Sequence, residues 1–343
     1  MLNDPYKIFE KAEKKREGSK FLEAIPLYIE ARRLSASDKE LKSACYFSLG
    51  DTYRMVGEVT KAGRCYMEAH KLVEKLGDPV RALDALVGLA LSMRALGEVK
   101  EALAIFNRAL KGYEKIGDKD GVAFAMWARA GALRIKGDLN GAIAGFKAAR
   151  DRFLALKDKS GGGYCLTGLG GASRVLGEYN DSQRYYTEAN RLFTSLKDTF
   201  GVAYSYCGIA NSLRMKGEFK KALGYFKKAK QNYKKIGDRV SYAYTLWGEG
   251  SAYQMLGADA LATDDFMEAA GLFRQTKDER GRVYCLLSIS QLEFKQNGRK
   301  GLKALDIAKS KAEKLGLKVE AGYADAIRKK MEKAPEDLPL NLA

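Results

Sequence analysis

Histidine is almost missing from this sequence: His70 stands alone among 343 residues. That leaves one residue able to serve as the base of a Ser-His-Asp triad, with no motif around it, and it excludes metal sites spaced on several histidines. His70 itself reads as a solvent-edge residue of a helix. Proline is scarce too, with 5 residues, which favours long uninterrupted helices. No stretch approaches the roughly 18 consecutive apolar residues of a membrane span. The opening MLNDPYKIFEKAEKKREG is charged and lacks an apolar signal core, so a soluble, cytoplasmic protein is expected. Asn180-Asp181-Ser182 matches a glycosylation acceptor in form only.

The five cysteines are odd in number and include no CxxC pair. Cys45, Cys165 and Cys285 share one slot of a repeat, in units too far apart to bridge. Reduced, packed thiols are expected. Asp118-x-Asp120-Gly121 lacks the other ligands of a calcium loop. No catalytic residue, metal ligand or cofactor motif emerges, and an enzyme is not expected.

What the sequence does have is a period. Gly57, Gly97, Gly137, Gly177, Gly217 and Gly257 are spaced by 40 residues. Ala62, Ala102, Ala142, Ala222 and Ala262 follow the same interval, with Ser182 in the gap. So do the rings Tyr66, Phe106, Phe146, Tyr186, Phe226 and Phe266, then Ala69, Ala109, Ala149, Ala189, Ala229 and Ala269. Asp78, Asp118, Asp158, Asp198, Asp238 and Asp278 close the units.

Each unit reads as two helices. Leu86, Leu89, Ala90 and Met93 have helical spacing in the first, and Ala-x3-ring-x2-Ala places small residues beside a ring in the second. Glycine suits the left-handed end of the first helix, and aspartate suits the next N-cap. Units are expected at about 4–38, 39–78, 79–118, 119–158, 159–198, 199–238, 239–278 and 279–315. A polar cap helix follows at 318–333, completing a repeat domain over 1–333. Pro26 is expected to bend the second helix. Residues 334–343 are expected to be a disordered tail or linker stub.

Leu49-Gly50-x2-Tyr53, Ala62-x3-Tyr66 and Ala69 resemble the tetratricopeptide repeat, and degenerate versions recur in every central unit. The departure is length, since the usual unit has 34 residues and a proline after its second helix. The longer unit looks like the Pins/LGN group of cortical scaffolds and like bacterial repeat proteins. The resemblance implies an all-α, right-handed solenoid of about eight helix pairs plus a C-terminal cap. It also implies that the first helices line a concave surface. Asn211 is the one asparagine in the relevant slot, which speaks against the lysine/asparagine clamp of the family's chaperone-tail variant.

On that surface the period brings out a column of Arg54, Arg94, Arg134, Arg174 and Arg214, continued by Gln254. Ten residues earlier lie Phe124, Tyr164, Tyr204, Tyr244 and Tyr284, with Phe47, Trp127 and Trp247 between. Gly131, Gly171 and Ser251 leave room one turn before the arginine slot. Arginine holds carboxylates and phosphates bidentately. The candidate partner-binding residues are therefore the five arginines with Trp127, Trp247, Tyr164, Tyr204 and Tyr244.

Two readings of the column stand side by side. Each arginine has an acid four residues on (Glu58, Glu98, Asp138, Glu178, Glu218), and both are lost together in the seventh unit, so an internal ion pair is one reading. The other is a groove for an extended or helical acidic segment. The tyrosines fit inter-helix packing equally well. Gly161, Gly162, Gly163, Gly168, Gly170 and Gly171 form a cluster that lacks the Lys-Ser/Thr of a phosphate loop; close helix packing is expected there.

Net charge is +17 and the pI near 9.4, which draws acidic partners of any kind. The expected function is a protein-interaction scaffold with a protein or peptide partner. Single-stranded RNA in a basic, ring-lined groove is an alternative, as is a regulatory sensor domain. Lys220, Lys221, Lys227, Lys228, Lys234 and Lys235 on a second helix are expected to face outward. The sequence leaves the oligomeric state open.

Overall fold

The computed structural model describes residues 4–343. It is all-helical: among the described residues there are seventeen α-helices and no strand. The first pair is α1 (Pro5–Glu17) and α2 (Phe21–Leu34). The first helices of the following units are α3 (Lys39–Met55), α5 (Pro79–Ala95), α7 (Lys119–Lys136), α9 (Lys159–Val175), α11 (Thr199–Met215), α13 (Arg239–Met255) and α15 (Glu279–Gln296). Their partners are α4 (Val59–Leu76), α6 (Val99–Ile116), α8 (Leu139–Ala155), α10 (Tyr179–Ser195), α12 (Phe219–Ile236), α14 (Asp259–Thr276) and α16 (Gly298–Lys314), and α17 (Lys318–Lys333) closes the stack. Each helix packs on the next, making an α-solenoid. First helices of successive units also touch one another, as α7 touches α9 and α11 touches α13, so they form the inner side of the curve.

The unit boundaries have local causes. Asp78, Asp118, Asp158, Asp198, Asp238 and Asp278 each cap a first helix by accepting from the backbone N–H three residues on, at 2.8–3.0 Å. The six period glycines after the first helices all have positive φ, from 74° to 92°. Three second helices end on Lys157, Lys197 and Lys277, also at positive φ, where other units use glycine. The helix α2 runs on through Pro26 as one element.

The ring of each second helix fills the space between its own first helix and the next. Tyr66 lies against Gly50 and Gly88, and Tyr186 against Gly170 and Gly208. Phe106, Phe226 and Phe266 are fully buried. Removing such a ring, as in Phe226→Ala, costs about 3–5 kcal/mol. The glycine cluster of α9 has the same origin. A Cβ on Gly168 would lie 2.4 Å from the Phe146 ring, and one on Gly163 would lie 2.8 Å from Phe193. These glycines let helices approach closely.

The coil also meets itself. Glu58 pairs with Arg239 at 2.6 Å across 181 residues. Beside this pair, Phe21 and Val56 pack with Tyr233 and Ile236, and Gly57 abuts Val240 and Thr276. Further along, Gly97 approaches Leu315, and Gly137 approaches Lys318 and Val319. The turns after α3, α5 and α7 thus meet the last units, so the coil closes around its inner side, the channel.

Residues 334–343 correct the sequence reading. Expected as a disordered tail, they make a short 3-10 turn (Pro335–Asp337) and then bond to Gln291 of α15 and Arg214 of α11. Leu342 and Ala343 are buried. The segment is held because it offers backbone groups, an asparagine and leucines to polar and apolar partners already in place.

Candidate functional site

The channel wall is set by the C-terminal halves of the first helices, where the arginine column falls. Arg54 has Asp51 at 3.9 Å, the one carboxylate that pairs with the column among the described residues. Arg94 donates from Nη1 to the Ala128 carbonyl at 3.2 Å. Gln254 makes the corresponding bond to the Ser288 carbonyl at 3.4 Å. Each reaches across to the next first helix. The small residues that the sequence placed one turn earlier accommodate this reach: a Cβ on Gly131 would lie 2.4 Å from Arg94 Nη1, and one on Gly171 would lie 3.3 Å from Arg134 Nη1.

The ion-pair reading of the column fails. No pair joins Arg54 to Glu58, Arg94 to Glu98, Arg134 to Asp138, Arg174 to Glu178 or Arg214 to Glu218 among the described residues. Glu58 is taken by Lys61 and Arg239, Glu218 by Lys216 and Lys221, and Asp138 caps Gly141. The four-residue spacing crosses a left-handed glycine, not a helical turn. It therefore sends acid and arginine to different sides.

The cations are left undercompensated. Arg54 Nε, Arg134 Nε and both Nε and Nη1 of Arg174 are buried with no hydrogen-bond partner in the protein. Burial, and then the Arg134 and Arg54 charges, press the Arg94 pKa down to about 10. Burial, and then Arg174, press that of Arg214 down to about 9. In both cases the charged form is destabilised by its surroundings.

Arg214 is the fully buried member. Its Nε and Nη2 donate to Asn211 Oδ1 at 3.3 and 3.1 Å. Its guanidinium lies 5.3 Å from the Trp247 ring centroid. Arg214 and Trp247 are thus brought together. Most of the other rings are engaged between units. Trp127 Nε1 donates to the Tyr164 carbonyl at 3.3 Å, and Trp247 Nε1 to Ser288 Oγ at 2.9 Å. The Tyr164 hydroxyl donates to Asp198 at 2.8 Å, and that of Tyr244 to Asp278 at 3.2 Å. Tyr204 stacks on Phe200. Apart from the Tyr204 stack, which lies within α11, these contacts tie each ring to a neighbouring helix or to the next N-cap.

Sequence reasoning missed Gln291 and Tyr323, and it weighed Asn211 only against a clamp. A signal existed for two of them. Asn211 and Gln291 occupy one slot of the period, where Gly131, Gly171 and Ser251 are small. Tyr323 lies in α17, outside the period, and no pattern marks it.

The five cysteines are free. Burial pushes the thiols of Cys45 and Cys165 up to about 12 and that of Cys65 to about 11, which leaves them unreactive. His70 bridges to the next unit through the Ala82 carbonyl at 3.2 Å. No group of metal-ligating side chains occurs among the described residues, and no helix there is long and apolar enough to cross a membrane. The lysines 220, 221, 227, 228, 234 and 235 all lie exposed on α12.

The family described as tetratricopeptide repeat matches residues 44–115 and 81–155. The same two-helix geometry continues on both sides of that stretch. Residues 44–155 match tetratricopeptide repeats. A search of the curated proteins finds no match. Among solved structures, this repeat chain is similar to a Rap protein complexed with Competence and Sporulation Factor, at TM-score 0.62 and 11% identity over 97% of this chain and 99% of that one. It is similar to the Rap conjugation gene regulator of plasmid pLS20 in complex with the Phr* peptide, at 0.54 and 14% over 99% and 100%. It is also similar to aspartyl phosphate phosphatase F from Bacillus subtilis, at 0.54 and 11% over 98% and 95%. At these identities the likeness is one of fold.

Proposed function

We propose that this tetratricopeptide-repeat solenoid is a cytoplasmic protein-interaction module whose inner channel receives an extended, acidic peptide segment of a partner. The observation that carries the reading is the set of buried guanidinium donors on Arg134 and Arg174 that lack any protein acceptor. A carboxylate placed there would accept charge-assisted bonds that water-poor surroundings strengthen. Two solved proteins of similar fold are described by title as complexes with a factor or a peptide, which agrees with an occupied channel. Free cysteines agree with a reducing compartment.

The test is a titration of a fluorescein-labelled glutamate-rich hexapeptide into the wild type and into Arg134→Ala/Arg174→Ala. Each lost charged hydrogen bond is worth about 1.5–3 kcal/mol, so about tenfold weaker binding or more is expected. Equal affinity in a variant of unchanged helicity would refute the reading. Nucleic acid is the less supported guest, because the densest run of lysines lies on the outer surface of α12, away from the channel. A single-stranded RNA whose affinity fell steeply with salt only when Arg134 and Arg174 were present would reverse that preference.

A further inference from the structure

Residues 338–343 lie against the inner wall and are held there by its polar side chains. Gln291 reads the backbone of Leu340 twice, donating from Nε2 to its carbonyl at 3.5 Å and accepting from its N–H at 2.6 Å. Arg214 donates from Nη1 to Asn341 Oδ1 and from Nη2 to the Leu342 carbonyl at 2.8 Å. The Asn341 amide returns a bond to the Arg214 carbonyl at 2.9 Å. Tyr323 donates its hydroxyl to the Ala343 carbonyl at 3.0 Å. Leu342 is buried in the apolar cluster of the last units, and Leu338 and Leu340 pack on its edge.

We propose that residues 338–343 are a tethered occupant of this seat, and that the seat binds in trans an extended peptide with an amide or carboxylate side chain just before a leucine-like residue. The inference rests on the reading of the channel as a peptide site. It goes further by naming the subsites and a competitor built into the chain.

Three features separate this from ordinary packing of a chain end. First, the contacts are made by polar side chains of the inner wall, and several of them address backbone groups, which any peptide carries. Second, Arg214 continues the column whose members Arg134 and Arg174 lack protein acceptors, so the segment fills one end of a longer site. Third, the Asn341 position faces a buried guanidinium with no carboxylate paired to it. An aspartate there would turn a charge–dipole hydrogen bond into an ion pair. An incoming peptide with that residue would outcompete the resident segment residue for residue. Tethering works the other way, since a short linker holds the segment at millimolar effective concentration. The free channel is thus screened from weak ligands and open to strong ones.

The experiment uses the full chain and labelled Leu-Pro-Leu-Asn-Leu-Ala, the segment's own sequence, read by fluorescence anisotropy. In Asn341→Lys/Leu342→Lys the two lysines repel Arg214 and vacate the seat. The labelled peptide is expected to bind this variant at least tenfold tighter than the wild type, and Gln291→Ala in the same background is expected to remove the gain. A variant with unchanged melting that binds no tighter than wild type overturns the proposal.

Hydrogen exchange on the wild type supplies a second reading should the lysine variant not fold. The Leu340 amide is expected to exchange slowly, and to speed up at saturation with unlabelled Leu-Pro-Leu-Asp-Leu-Ala. No acceleration at saturation overturns the proposal. The glutamate-rich peptide keeps the two claims apart. Binding of that peptide through Arg134 and Arg174, with no gain for the segment peptide in the lysine variant, leaves the channel reading standing and removes the tethered occupant. Binding of neither peptide to either chain removes both.

Discussion

The guanidinium of Arg94 occupies the place where a side chain on Gly131 would begin: a Cβ there would lie 2.4 Å from Nη1. Arg94 and Gly131 sit on consecutive first helices, so the arginine of one unit rests on the small residue of the next. Gly131→Ala is therefore expected to swing Arg94 off the Ala128 carbonyl. The lost bond, about 1.5 kcal/mol for a charged donor, is largely offset by about 1 kcal/mol of helix propensity. The melting temperature should move little while affinity for an acidic peptide changes. A drop of more than about 3 kcal/mol in urea unfolding would show that Arg94 is fixed by more than this contact.

Glycines of α9 divide into two kinds. Gly168→Ala drives a Cβ into the Phe146 ring and should destabilise by about 1–3 kcal/mol. Gly162 has only a Leu154 methyl at 3.9 Å, so Gly162→Ala should gain up to about 1 kcal/mol. Urea midpoints for the two variants check this. Shifts in the same direction would show that the close-packing account of the cluster is wrong.

Asp265 is an acid out of place. Burial first, then Glu249, push its pKa up to about 7, and Oδ2 has no partner. Its folded pKa lies above the unfolded value of 3.8, so the folded state binds the extra proton. The stabilisation is full below about pH 4 and is lost as pH rises through about 7. Asp265→Asn should therefore stabilise the protein at pH 8 and leave it nearly unchanged at pH 4, by a difference of about 1 kcal/mol once partial exposure is discounted. A variant whose stability parallels wild type from pH 4 to 8 would remove this residue as the cause.

Closure of the coil is separable from the helix pairs. Val56 is 1% exposed between Tyr233 and Ile236. Val56→Asp would bury an unpaired carboxylate unless the contact opens. The expected result is a larger radius of gyration by small-angle scattering with the far-UV circular dichroism unchanged. Loss of helicity at constant radius would mean that closure and unit folding are one event.

Local features were legible because they have local causes. Asp118 predicts its N-cap, Gly137 its left-handed turn, and Phe146 its burial from spacing alone. The arginine column was legible as a column, but the partners of Arg134 and Arg174 were not, since pairing depends on which way the chain leaves Gly137 and Gly177. The meeting of Glu58 with Arg239 follows from small rotations summed over the intervening units, which no single unit reveals. Residues 338–343 have no period at all, and their fit depends on Gln291 and Arg214 being presented together by α15 and α11.

The pairing of Glu58 with Arg239 has a further consequence. Open solenoids tolerate gain or loss of whole repeats, because each repeat meets only its neighbours. In this chain one added 40-residue unit between those residues would advance the spiral by a full increment and place a different loop opposite Glu58. Tandem duplication, usually harmless to such arrays, would here break the ring, so the number of repeats is as constrained as any side chain in the core.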